Sequence, residues 1–88
     1  MDQESIIAFK EKLESQHTFP GMYVFKFIVP VNQLHQVEVL FDKKVQLVEK
    51  SSSKGNYKSV TAKAHMMSSD EVIEVYIAAK KIEGIISL

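Results

Sequence analysis

Met22-Tyr23-Val24-Phe25-Lys26-Phe27-Ile28-Val29 carries the plainest period in the chain. Tyr23, Phe25, Phe27 and Val29 fall on one side of a two-residue repeat, and Val24, Lys26 and Ile28 fall on the other. Aromatic and β-branched residues dominate, as on a pleated and packed surface. Both sides are largely apolar, which places this strand in the middle of a sheet. Pro20-Gly21 precede it and Pro30 ends it. Downstream, Asn32 offers a helix cap, and Leu34, Val37, Leu40 and Phe41 form a helical stripe ending at Asp42. Lys43 to Lys50, with Val45, Leu47 and Val48, reads as a second strand. Ser51-Ser52-Ser53-Lys54-Gly55-Asn56 is turn chemistry. From Tyr57 to Met67 the alternation returns, with Val60, Ala62, Ala64 and Met66 opposite Ser59, Thr61, Lys63 and His65. Two strands around a short polar loop make a hairpin.

The flanks are helical. Ile6, Phe9 and Leu13 share one face of a helix from Asp2 to Gln16, which Asp2 caps. Ser68 and Glu71 form a capping-box pair that opens a helix bearing Val72, Val75, Tyr76, Ala79 and Ile82 on one face. Lys80 and Lys81 complement the dipole of its last turn, Gly84 is the expected C′ residue, and Ile85 to Leu88 form a short final strand. After the leading helix the order is β-α-β-β-α-β. The fold class is therefore α+β, a ferredoxin-like split βαβ two-layer sandwich with a four-stranded antiparallel sheet and an extra N-terminal helix. Residues 1–17 hold that helix and 18–88 the ferredoxin-like part of one domain. Helices cover one sheet face; the other is left to solvent, to the leading helix or to a partner.

Composition narrows the function. The 88 residues are 45% hydrophobic and 25% charged, ordinary globular usage. Eleven lysines balance eleven acidic residues, and arginine is absent. A nucleic-acid binder draws on a basic surplus and on bidentate guanidinium contacts, so both facts argue against that class. The absence of cysteine excludes disulfides and thiolate metal cages and suits a reducing compartment. Asp2-Gln3-Glu4 lacks the cationic start of a signal peptide, and no apolar run approaches the ~20 residues of a membrane span. The expected location is the cytoplasm, with no membrane partner.

Phe19-Pro20-Gly21-Met22-Tyr23-Val24-Phe25-Lys26-Phe27-Ile28 and Lys50-Ser51-Ser52-Ser53-Lys54-Gly55-Asn56-Tyr57-Lys58-Ser59-Val60-Thr61 resemble the YbeD-like family of small bacterial proteins. So does the turn Ile82-Glu83-Gly84-Ile85 before the last strand. The resemblance runs from about Phe19 to Leu88, and its most specific part is the Ser-Ser-Lys-Gly-Asn-Tyr run entering the third strand. It implies a ferredoxin-like fold similar to ACT-type regulatory domains, and it brings no activity, because the family is one of unknown function. Many relatives carry a glycine soon after the lysine of the first strand. Phe27-Ile28-Val29-Pro30 here argues against a close ligand approach to that backbone.

No catalytic constellation emerges. His17, His35 and His65 fall on separate elements, no Gly-x-Ser-x-Gly elbow occurs, and Asp70-Glu71 is explained by helix capping. The chain reads as a non-enzyme with neither cofactor nor metal. Candidate binding residues are Lys26, Ser52, Ser53, Lys54, Gly55, Asn56, Tyr57 and Lys63. A Gly-containing turn can present successive amides to an anion, with Lys54 adding charge, although the same residues also describe a plain hairpin turn. Lys26 joins Lys63 and His65 on the open face if it points there; otherwise its stem covers Val24 and Ile28. The leading expectation is a regulatory or adaptor domain that binds a small metabolite or a protein partner through the open face and the Ser51–Asn56 loop. Sheet edges near Val45, Leu47, Val48, Ile86 and Leu88 offer a route to a homodimer. The alternative is a nucleic-acid-associated module using Lys26, Lys54, Lys58 and Lys63. Its aromatic platform would be Tyr23, Phe25 and Phe27, which read better as core.

Overall fold

The computed structural model describes residues 2–88. Its elements are α1 (Gln3–Gln16), β1 (Gly21–Pro30), a 3-10 turn (Val31–Gln33), α2 (Leu34–Glu38), β2 (Gln46–Ser51), β3 (Tyr57–Met66), α3 (Ser69–Lys80) and β4 (Ile86–Ser87). All strands pair antiparallel in the order β2-β3-β1-β4. This is the ferredoxin-like interleaving of two βαβ halves, and it puts β1 inside the sheet, as its two apolar faces require.

Register fixes the faces. Phe25, Phe27 and Val29 of β1 stand opposite Ala62, Val60 and Lys58 of β3, and Phe25, Phe27, Val29, Val60 and Ala62 are fully buried. Val37 of α2 and Val72, Ile73 and Ala79 of α3 cover them. Small alanines on β3 leave room for an aromatic cluster, in which Phe25 packs against Tyr23, Phe27, Phe41 and Tyr76 at centroid separations of 4.8 to 6.2 Å. Such pairs add about 0.5–1.5 kcal/mol each beyond their burial.

Two caps match their sequence signals. Asp2 Oδ1 accepts from Ser5 N–H at 2.8 Å, and Ser68 Oγ accepts from Glu71 N–H at 3.3 Å while Glu71 Oε2 accepts from Met67 N–H at 2.9 Å. α1 lies in the helix layer beside α3. Leu13 is buried, Phe9 packs edge-on to Tyr76, Lys10 pairs with Asp70 at 3.1 Å, and the buried Ser69 hydroxyl donates to Glu14 at 2.7 Å. Among the described residues, the second sheet face therefore carries no helix.

Several boundaries differ from the sequence expectation, among them β4, which spans Ile86–Ser87 rather than Ile85 to Leu88, and β3, which ends at Met66 rather than Met67. The Asn32–Asp42 helix shrinks to a 3-10 turn and five α-residues. Asn32 lies inside the 3-10 turn, and no side chain caps either piece. Leu40 and Phe41 still reach the core, from a turn. β2 begins at Gln46 rather than Lys43, because Asp42 accepts from Lys44 N–H through Oδ1 and from Val45 N–H through its carbonyl. Gly84 is not the C′ residue of α3, whose cap is Lys81. It sits further on, at φ 78° in the turn into β4, where a Cβ would meet Pro30 Cγ at 2.8 Å.

Candidate cationic sheet face and edge groove

The pleat sends Val24, Lys26 and Ile28 of β1, Gln46, Val48 and Lys50 of β2, and Ser59, Thr61, Lys63 and His65 of β3 to the open face. Thr61 is flanked by Lys26 and Val48, Lys63 by Val24 and Gln46, and Ser59 by Ile28 and Lys50. Lys26 and Lys63 are thus diagonal neighbours, and with Lys50 they surround a groove of about 270 Å³ floored by Val48, Ser59 and Thr61. None of the strand residues on this face is acidic. Among the described residues, Lys26, Lys50 and Lys63 make no ion pair. On the same face Val24 is 51%, Val48 49% and Ile86 52% exposed, which adds bare aliphatic surface beside the ammonium groups.

The Ser52–Asn56 turn lies beyond the hairpin end of this groove, two residues past Lys50 and, through Tyr57, two from Ser59. Tyr57 and Thr61 are four residues apart on β3, on the order of 13 Å. The turn's polar groups largely serve the turn. Ser52 N–H donates to Tyr57 O, Gly55 N–H donates to Ser52 O, and Ser52 Oγ accepts from Tyr57 N–H. Asn56 O accepts from Val31 N–H, tying the hairpin to the end of β1. Gly55 holds φ 74°. Ser53 and Lys54 sit exposed at the tip, and Tyr57 opens β3 opposite Pro30. The candidate residues thus form two groups: Lys26 and Lys63 in the groove, and Ser52 to Tyr57 at the turn. Lys58 joins neither, because it faces the helix layer 4.0 Å from Glu49. There the neighbouring Glu38 carboxyl and partial burial raise the Glu49 pKa above the usual carboxylate value, against the pull of Lys58.

Two features escaped the sequence reading. Lys50 belongs to the groove, and its parity with Val48 along β2 was the available signal. A second groove, about 450 Å³, lies between α1, α3 and the outer side of β1. Phe9, Leu13, Tyr23 and Tyr76 line it, with Lys12 and Lys80 at the rim. The Tyr23 and Tyr76 hydroxyls share a hydrogen bond at 3.1 Å, and burial followed by that bond pushes the Tyr76 phenol well above its ordinary pKa. No periodicity links residues 9 and 80; only packing does. Tyr23, Phe25 and Phe27 face the helix layer, so the open face carries no aromatic platform. Among the described residues no cluster of three or more His, Asp or Glu is placed to hold a metal ion, and no helix is long and apolar enough to cross a membrane.

No curated protein and no solved structure matches the chain. The family model described as "Protein of unknown function (DUF493)" matches residues 14–88, which takes in every strand and leaves most of α1 outside. With that match joined to the motifs at Phe19–Ile28 and Lys50–Thr61, the chain belongs to this YbeD-like family of proteins of unknown function.

Proposed function

We propose that this domain is a non-catalytic adaptor of the cytoplasm that holds an acidic protein surface against its open sheet face. The observation that carries the reading is the groove of Lys26, Lys50 and Lys63, free of carboxylates and set among exposed Val24, Val48 and Ile86. Interfaces combine an apolar centre with charges that fix register and speed encounter. A protein surface satisfies both the ammonium groups and the aliphatic patches beyond the groove, whereas a small anion satisfies the first alone. The nucleic-acid alternative loses two of its supports, since Lys58 faces Glu49 and the β1 aromatics are in the core. The non-catalytic part of the reading rests on the histidines, which stand on different elements: His17 against Tyr23 and Phe19, His35 beside Glu38, and His65 on β3.

The test is site-specific photo-crosslinking in the cells that make the protein, with the reactive side chain at Val48 on the open face or at Glu74 on the helix layer. A discrete adduct at Val48 that fades in Lys26→Glu/Lys63→Glu is the expected result. Equal adducts at both positions, or adducts indifferent to the charge reversal, would sink the reading.

A further inference from the structure

Thr61 is the centre of the lysine groove. Lys26 stands directly across from it on β1 and Val48 on β2. Lys63 is the next residue along β3 on this face, and Lys50, opposite Ser59, lies on the diagonal. Directly opposed side chains start about 5 Å apart and diagonal ones about 7–8 Å. A lysine stem covers that distance, so the three ammonium groups converge above one hydroxyl. Ser59 and Thr61 are half-buried on the floor, while Lys26, Lys50 and Lys63 stand exposed around them. Among the described residues neither hydroxyl makes a hydrogen bond, and none of the three lysines has an anionic partner. The groove thus gathers donors of both kinds and no carboxylate.

Such a set exceeds what one carboxylate satisfies. A single Asp or Glu brings one negative charge and leaves two ammonium groups uncompensated when a partner closes over the face, which costs desolvation. A phosphate monoester carries about −1.5 to −2 at neutral pH and three strong acceptor oxygens. Lysine binds it as a point charge, without a guanidinium fork. The Ser59 and Thr61 hydroxyls donate to the oxygens that face the floor. Building on the open-face reading above, we propose that the group this groove takes from the partner protein is a phosphorylated serine or threonine side chain.

The surroundings favour a phosphorylated segment over a free anion. Val24, opposite Lys63, and Val48, opposite Thr61, are each about half exposed. A free phosphate leaves that aliphatic surface in water, whereas apolar residues flanking a phosphoserine cover it. A nucleic acid also offers phosphates, but single strands are held by stacking on aromatic side chains, and Phe25 and Phe27 are fully buried on the other face. A pair of glutamates supplies equal charge on two separate side chains. It cannot place its oxygens together over Thr61 as one phosphate does.

Fluorescence polarisation of the full chain at fixed ionic strength tests the proposal with three labelled heptapeptides. Each carries Val two places either side of its centre. The centre is phosphoserine in the first and serine in the second; the third has two glutamates instead, matching the charge. The phosphoserine peptide should bind at least about fivefold tighter than the glutamate peptide, and the serine peptide should not bind. Lys26→Gln and Lys63→Gln should each weaken phosphoserine binding about fivefold, while Lys80→Gln on α3 changes nothing. Thr61→Val should lower affinity for the phosphoserine peptide and leave the glutamate peptide unaffected. Circular dichroism checks that the variants fold. Equal affinity for the phosphoserine and glutamate peptides overturns the phosphate assignment and leaves the acidic-surface reading standing. Inorganic phosphate binding as tightly as the peptide overturns it in favour of a free anion. Absence of binding by every peptide, or indifference to both lysine variants, also overturns it, and the Val48 crosslink then decides separately whether the face holds a protein.

Discussion

Gly84 and Gly55 make a matched pair for measuring how tightly the turn into β4 is held. Both have positive φ, 78° and 74°. A Cβ on Gly55 would meet nothing within 4 Å, whereas one on Gly84 would lie 2.8 Å from Pro30 Cγ and 3.2 Å from Cδ. Alanine at Gly55 therefore bears only the left-handed backbone cost, about 1 kcal/mol. Alanine at Gly84 bears that cost plus an overpacking cost of roughly 1–3 kcal/mol. The pyrrolidine ring cannot swing away as a flexible side chain would, because Pro30 is the last residue of β1 and lies opposite Tyr57. Urea unfolding followed by far-UV circular dichroism gives both numbers, with a melting-temperature loss of about 4–8 °C per kcal/mol for a domain of this size. Gly84→Ala should lose at least about twice as much as Gly55→Ala. Equal losses would refute the steric argument and mean that Pro30 does not fix the turn. The result bears on the sheet, because this turn sets where β4 meets Phe27 and Ile28 of β1.

Three further outcomes follow from the same geometry. Ser69→Ala removes a buried hydroxyl that donates to Glu14 at 2.7 Å, so it should cost about 1.5–3 kcal/mol and speed amide exchange in α1 before the sheet is affected. Leu13→Ala, at the one buried position of α1, should cost roughly 2–5 kcal/mol, and a loss below that range would mean α1 is not seated on the core. Glu49→Gln should raise the melting temperature modestly at neutral pH. Glu49 has a folded pKa above its unfolded one, so the folded state binds the extra proton. Stability is then full below the unfolded value and falls as pH rises through the raised one. The gain from glutamine should vanish as pH drops toward the ordinary glutamate pKa, and a pH-independent gain would contradict the raised Glu49 pKa.

Much of the fold was legible in the residues. The two-residue period of β1 and β3 named their buried faces correctly, because alternation is a local property of extended backbone. Asp2 and Ser68 marked their helix starts for the same reason: a side chain three residues from an orphan N–H needs no tertiary partner. The α2 segment was misread at its boundaries, since its apolar stripe fits a helix and a turn equally well, and packing of Phe41 on Phe25 settled the matter. Among the site residues, Lys26 and Lys63 could be assigned a face from parity alone.

By itself, then, the sequence determined element type, strand faces, the split βαβ order and the family. Tertiary structure decided which surfaces were left over. Docking α1 beside α3 bared the lysine face. Packing also brought Phe9, Tyr23 and Tyr76 around one groove. The physical reason is range: periodicity and capping act over a few residues, whereas surface left uncovered depends on how elements far apart in the chain compete to bury their apolar sides.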